Sequence, residues 1–179
     1  FMTHPDYDHA ADAKYLIDNF SVKKVFINNG EINELESKIK EKEKLDGDLK
    51  IDNVYIKNLN NRLYDDENDN SLVLNITINN KDFLFMGDAS TKVEEDLKLT
   101  KVYLLKVGHH GSDNSTSKSF VDKIRPKYSI ISVGESNRYG HPKEEVLKTL
   151  KDTKILRTDK NGTIIFRLKD NDVKVKTMS

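Results

Sequence analysis

The sequence predicts an α/β protein in which layered sheets are flanked by outer helices, and three observations lead there. Leu72, Leu74, Ile76 and Ile78 recur at every second position, the spacing of a half-buried strand. Val102 to Val107 and Tyr128 to Val133 are short apolar runs, each followed by a segment with helical spacing. Hairpin-like strand pairs lie on either side of this alternation, which argues against a plain doubly wound sheet.

Taken in order, Asp12 to Phe20 reads as a short helix with Tyr15, Leu16 and Phe20 on one side, and Lys23 to Ile27 as a strand. Glu31 to Lys44 reads as a charged helix, because Ile32, Leu35 and Ile39 recur at helical spacing. Ile51 to Lys57 reads as a strand, and the Asn-rich stretch 58–70 as a loop. Asn79-Asn80 turns the strand ending at Ile78 into a second one over Asp82 to Met86. Thr91 to Leu99 is a helix capped by Ser90 or Thr91. Ser115 to Ile124 is another, and Pro126 follows its end. Pro142 to Lys151 is a helix with proline in its first turn. Strands at Ile155, Thr163 to Leu168 and Asp172 to Lys176 end the chain, with Lys160-Asn161-Gly162 turning between the first two.

The 179 residues suit one domain, 1–179, with room for a sizeable core. Lys plus Arg and Asp plus Glu both number 30, so the net charge is zero. That argues against a nucleic-acid module relying on bulk positive charge, though not against an enzyme gripping a nucleic acid at its active site. There is no cysteine, which rules out disulfides and thiolate metal sites. No apolar run is long enough to span a membrane and no signal-like leader is present, so no membrane contact and a cytoplasmic location are expected for this segment.

All five histidines fall in three short segments: His4-Pro5-Asp6-Tyr7-Asp8-His9, His109-His110-Gly111-Ser112 and Tyr139-Gly140-His141-Pro142. Each follows a strand or precedes a helix, where a rigid scaffold presents reactive groups. In an extended stretch, side chains two apart face the same way, so His4 and Asp6 address one point. Pro5 biases His4 toward that state. Asp8 and His9 follow at a helix start, aimed at a second point nearby, and Asp8 also suits a helix N-cap. Imidazole nitrogen and carboxylate oxygen both bind Zn²⁺ and Mn²⁺. Gly87-Asp88 ends a strand, where a carboxylate can bridge two metals or simply make a turn. His109 and His110 also end a strand. Adjacent strand residues face opposite ways, so one of them is expected to be the ligand and the other to meet substrate or buttress the site. His141, at a helix start, is the last candidate ligand.

These segments together resemble the metallo-β-lactamase superfamily, in particular the hydrolase domain of ComEC-type DNA-uptake competence proteins and the phosphorylcholine esterase type. The resemblance rests on Thr-His-Pro-Asp-Tyr-Asp-His at 3–9, Asn-Ser-Leu-Val-Leu at 70–74 and Phe-Leu-Phe-Met-Gly-Asp at 83–88. It continues in Leu-Lys-Val-Gly-His-His-Gly-Ser at 105–112, Ile-Ser-Val-Gly at 131–134, Asn-Arg-Tyr-Gly-His-Pro at 137–142 and Arg-Thr-Asp at 157–159. It implies an αββα sandwich with two divalent metal ions at one edge. His4 and Asp6 would serve one ion, Asp8 and His9 the other, with Asp88 bridging. His109 or His110 would complete the first site and His141 the second.

Asp6 stands where the wider superfamily has a second histidine, and Asn68 and Asn70 lie near the place of another. Members begin with strands carrying an Asp-Val-Gly-Gln-Gly-Asp-like segment, so the resemblance also implies a sandwich lacking its N-terminal strands, an N-terminally incomplete domain.

The activity implied is a metal-dependent hydrolase using a metal-bridging hydroxide, a phosphodiesterase or nuclease acting on a phosphodiester or other small anionic substrate such as DNA. Asp6, Asp8 and Asp88 offset most of the charge of two divalent ions, so an anionic ester is not repelled. An oxygen-rich donor set tilts the metal from zinc toward manganese. Asp8, His109 and His110 are the candidate catalytic groups, with Ser112 and Asn137 as weaker aids to an oxyanion. Two alternatives stand beside it: hydrolysis of a carbon ester, lactone or amide on the same fold, and a non-catalytic truncated remnant.

Overall fold

A computed structural model describes residues 1–178. Seven strands form one mixed sheet in sequential order: β3 (Asp48–Ile51), β4 (Val54–Asn58), β5 (Leu74–Ile78), β6 (Lys81–Phe85), β7 (Leu104–Lys106), β8 (Tyr128–Ile131) and β9 (Lys154–Arg157). From β3 to β6 neighbours are antiparallel, and from β6 to β9 they are parallel. The crossovers of the parallel half carry α4 (Thr91–Asp96), α5 (Lys118–Ile124) and α6 (Glu144–Thr149). Two smaller sheets accompany it, a parallel pair of β1 (Val25–Ile27) with β2 (Lys42–Lys44) and an antiparallel hairpin of β10 (Thr163–Lys169) with β11 (Asp172–Met178).

The period of two along each central strand assigns its side chains to two cores. Leu84, Leu105 and Ile131 face the helices and pack with Val93, Phe120, Ile124, Val146 and Leu150. Phe83, Leu104, Tyr128 and Leu156 face the other way and pack against Ile164, Phe166, Leu168 and Val175 of the hairpin. The result is a mixed α/β architecture with a helix layer, the large sheet and a smaller sheet behind it. Ile131 is fully buried. Removing one methylene from it (Ile131→Val) is expected to cost about 1 kcal/mol, read as a shift in the denaturant midpoint with an unchanged slope.

Helix ends follow local chemistry. Ser90 accepts a hydrogen bond from the Lys92 amide, and Ser117 one from the Phe120 amide. Arg125 closes α5 in the left-handed conformation just before Pro126.

Two segments depart from the expected elements. The helix expected over Glu31 to Lys44 is a single turn, α3 (Glu34–Ser37), opened by an Asn33–Glu36 capping box. Its distal part is β2, drawn out to pair with β1 in register from Val25 against Lys42. Strand pairing there outweighs the helix propensity of Lys and Glu. The strand expected over Ile51 to Lys57 is present from Val54 onward as β4, but Ile51 ends β3 and the chain reverses at Asp52, which adopts a positive φ of 51°. Aspartate tolerates that conformation, so Asp52-Asn53 is the turn. Two smaller differences lie near the C-terminus. Pro142 stands ahead of α6, not in its first turn, and residues 158–161 form a helical turn, α7 (Thr158–Asn161), between β9 and β10.

Candidate metal centre

The parallel half of the sheet delivers loops to one edge, beyond the carboxyl ends of its strands, which is where open α/β sheets place ligands. β6 runs out into Gly87-Asp88. Gly87 has φ +57°, and a Cβ there would lie 2.7 Å from the Ser71 Cβ, so only glycine lets the loop pass this close. Past β7 comes one left-handed turn over Gly108–Gly111, with His109 at φ 46° and His110 at φ 54°. Two buried groups brace this loop. Glu94 accepts hydrogen bonds from the Thr116 and Ser117 amides, and the Ser115 hydroxyl donates to the Gly108 carbonyl at 2.9 Å.

The 4–9 segment enters from beside β1, where the Met2 amide donates to the Phe26 carbonyl at 2.9 Å. On the opposite side of residue 3, the Leu72 amide donates to the Thr3 carbonyl at 2.9 Å. The segment then turns into α1 (Tyr7–Ala10), and α2 (Ala13–Asn19) follows it. Asp6, not Asp8, occupies the N-cap position of α1, and its side chain makes no capping hydrogen bond. Both carboxylates are therefore free of helix duty.

Six of the seven other candidate ligands converge around Asp88. His9 Nε2 lies 3.1 Å from Asp88 Oδ1. Around Asp88 Oδ2 stand His109 Nε2 at 3.6 Å, His110 Nε2 at 3.8 Å and His4 Nε2 at 4.0 Å. Asp6 Oδ2 is 3.8 Å from His4 Nε2, and Asp8 Oδ2 is 3.3 Å from His110 Nε2. His9 and His110 face each other with their Nε2 atoms 3.0 Å apart. The opposite-facing geometry expected for His109 and His110 does not arise. A left-handed turn replaces the strand alternation and brings both imidazoles to Asp88. Among the described residues, two groups have donor atoms all within 4.8 Å of one another: His4, His9 and Asp88, and Asp8, His9 and His110. Depth is graded, from His4 and Asp88 at the bottom to the exposed Asp6 and Asp8 at the rim.

Hydrogen bonds on the far nitrogens aim the near ones. His110 Nδ1 donates to the Ser132 carbonyl at 2.8 Å, which leaves the Nε2 lone pair for the centre. His4 Nδ1 faces Thr3 Oγ1 at 3.1 Å and Ser71 Oγ at 3.2 Å. Its Nε2 is buried with no hydrogen-bond partner among the described residues. A buried polar atom without a partner is costly, and here it points among carboxylates that can share a cation with it. The residues present thus fit divalent metal ions, by this orphaned nitrogen and by the mixed imidazole–carboxylate donor set.

Charge supports the same conclusion. Burial by itself would raise the Asp88 carboxyl, but the His9 hydrogen bond and the charges of His9, His110 and His109 hold it down at about 2. Burial opposes protonation of His9, yet the hydrogen bond and charge of Asp88 outweigh it and raise its pKa. His4 is lowered, by burial first and by His9 second. Asp88 is therefore ionised at neutral pH beside imidazoles that a cation can recruit by displacing their protons.

His141 stands apart. Its ring centroid is 6.1 Å from that of His109, it stacks on Tyr139 at 5.8 Å, and it joins neither donor group. Its Nδ1 is buried without a hydrogen-bond partner. It lines a cleft of about 400 Å³ with Asp8, His110, Ser132, Arg138 and Tyr139, which opens onto the centre. Asn137 and Ser112 serve their own loops. Asn137 donates to the Gly134 and His141 carbonyls and accepts from the His141 amide, while Ser112 accepts from the Asn114 amide. Sequence reasoning missed the bracing roles of Thr3, Ser71, Glu94 and the Ser132 carbonyl, since the contacts that give them those roles span distant parts of the chain and leave no local spacing signal.

Comparison with known proteins agrees with this geometry. Residues 1–135 match the metallo-beta-lactamase superfamily. The chain is 34% identical to ComE operon protein 3 of Bacillus subtilis (strain 168) over 94% of its own length and 24% of that protein's. It is 36% identical to competence protein ComA of Neisseria gonorrhoeae over 63% of its length and 17% of that protein's. It is 36% identical to recombination protein 2 of Haemophilus influenzae over 47% and 11%. The chain thus spans about a quarter or less of the curated relatives it matches. With three quarters of its residues matched to the family and a site of the composition described, the chain belongs to the metallo-β-lactamase superfamily.

Proposed function

We propose that this domain is a metal-dependent phosphodiesterase with a dinuclear centre, its natural substrate a nucleic-acid backbone. The observation that carries the reading is the ring of imidazoles and carboxylates around one buried carboxylate, Asp88, whose two oxygens face different partners. His4, His9, His110, Asp8 and Asp88 would hold two divalent ions, manganese or zinc, which would supply a water of lowered pKa and a clamp for phosphate oxygens. His109, close to Asp88 but outside both compact donor groups, is placed to steady charge on the reacting phosphate.

The cleft beside the centre supports an anionic substrate. Arg138 and Lys143 lie at its Tyr139 side, and Arg138 rests over the Tyr139 ring at 4.8 Å. Even with Asp6 at the rim counted beside Asp8 and Asp88, three carboxylates set against two divalent ions would leave the site attractive to a phosphodiester monoanion. One relative is named for competence and another for recombination, which supports a nucleic acid over a carbon ester or lactone.

The test is a substrate panel on protein loaded with Mn²⁺ or Zn²⁺. Turnover of bis(p-nitrophenyl) phosphate and single-stranded DNA, lost on chelation, is expected, with none of nitrocefin or lactones. The reverse preference overturns the phosphodiester assignment. Uptake of less than one ion per chain overturns the hydrolase reading and leaves a non-catalytic domain.

A further inference from the structure

Ser71 lies just ahead of β5, far in sequence from every candidate ligand, and is completely buried. Its hydroxyl oxygen is 3.2 Å from His4 Nδ1 and accepts a hydrogen bond from the Asp88 amide at 3.0 Å. One atom therefore touches the two deepest members of the centre. The loop that carries it is fixed on both sides. Asn60 donates to the Asp69 and Ser71 carbonyls at 2.7 and 3.0 Å, and the Ser90 amide donates to Asp69 Oδ1 at 2.9 Å. Gly87 allows the contact, because any side chain there would strike Ser71.

We propose that Ser71 is a positioning residue of the metal centre, accepting hydrogen bonds from His4 Nδ1–H and the Asp88 amide at once and so fixing the His4 tautomer and the Asp88 loop together. A hydroxyl oxygen has two lone pairs, enough for both donors. The opposite polarity, with Ser71 donating to His4 Nδ1, puts the proton on Nε2. That nitrogen is buried, has no hydrogen-bond partner, and has its nearest carboxylates at 3.8 and 4.0 Å, too far to accept. Nε2 can bind a cation only through its lone pair, so in the metal-binding form the proton lies on Nδ1, where Ser71 Oγ and Thr3 Oγ1 stand as acceptors. Thr3 Oγ1, 3.1 Å from the same Nδ1, is a second contact on His4 but does not reach the Asp88 amide. This role for Ser71 deepens the metal-centre reading and rests on it.

The experiment compares wild type, Ser71→Ala and Ser71→Cys, the last keeping the volume but accepting poorly. Long-range ¹H–¹⁵N spectra of the metal-free full chain report the His4 tautomer, and calorimetric titration with Mn²⁺ or Zn²⁺ reports affinity. Wild type is expected in the Nδ1–H form. Ser71→Ala is expected to mix tautomers and bind metal about 10- to 100-fold more weakly, the range for lost support of a ligand, with Ser71→Cys between. An unchanged tautomer together with unchanged affinity in both variants overturns the proposal. The spectra need no metal. If wild type takes up no ion, the functional reading falls while the tautomer still decides what Ser71 does. Should the alanine variant fail to fold, the cysteine variant decides the question by the same two readouts.

Discussion

Asp88→Asn is expected to empty the centre and abolish hydrolysis while leaving the fold in place. Asparagine keeps the shape of the side chain and removes its charge. Asp88 is the carboxylate around which His4, His9, His109 and His110 are gathered, all with Nε2 within 4.0 Å of one of its oxygens. A unit charge facing a cation at roughly 4 Å is worth about 4 kcal/mol at an effective dielectric of about 20, which is on the order of 10³ in affinity. A loss of that size takes both metal content, read by elemental mass spectrometry, and turnover of bis(p-nitrophenyl) phosphate to background. His9 also loses the partner that raises its pKa, so its proton titrates at lower pH in the metal-free variant. Full metal content in Asp88→Asn would remove the bridging role assigned to this residue.

Gly111→Ala is expected to be the most damaging single-methyl change in the chain. Gly111 has φ +83°, and a Cβ built there falls 2.6 Å from the Pro142 Cβ and 3.1 Å from its backbone Cα. The clash is with a rigid ring and with main chain, so no rotamer relieves it. Left-handed strain of about 1–2 kcal/mol adds to overpacking of about 1–3 kcal/mol. A total of about 3 kcal/mol in a domain of this size lowers Tm by on the order of 10 °C. The effect also reaches the site, because Gly111 directly follows His109-His110 and packs on Pro142, the residue after His141, while its carbonyl accepts from the Lys143 amide at 2.9 Å. Thermal melts with and without Mn²⁺ separate the two consequences, since loss of metal stabilisation adds to the intrinsic drop. A variant with wild-type Tm and metal affinity would show that the loop yields far more easily than its contacts indicate.

The sequence carried much of this molecule because much of its information is local. Period-two spacing in 72–78 and the apolar runs at 102–107 and 128–133 place the central strands, and strand side chains alternate whatever else surrounds them. Chemistry was equally legible in kind. A chain without cysteine that concentrates its five histidines in three aspartate- and glycine-marked segments has few other places to hold a metal.

Tertiary structure decided what local spacing cannot express. Lys42 to Lys44 left the expected helix because β1 offered an edge to pair with, and no periodicity within 31–44 encodes that edge. His109 and His110 reach the same carboxylate because the turn after β7 is left-handed, held by Glu94 and by the passage of Gly111 under Pro142. Ser71 meets His4 across 67 positions through a loop pinned by asparagine side chains. Residue type and spacing specify what a side chain can bond and which way a strand presents it. Which partners then come within a bond length depends on long-range packing, where a contact wins only when the whole core closes around it.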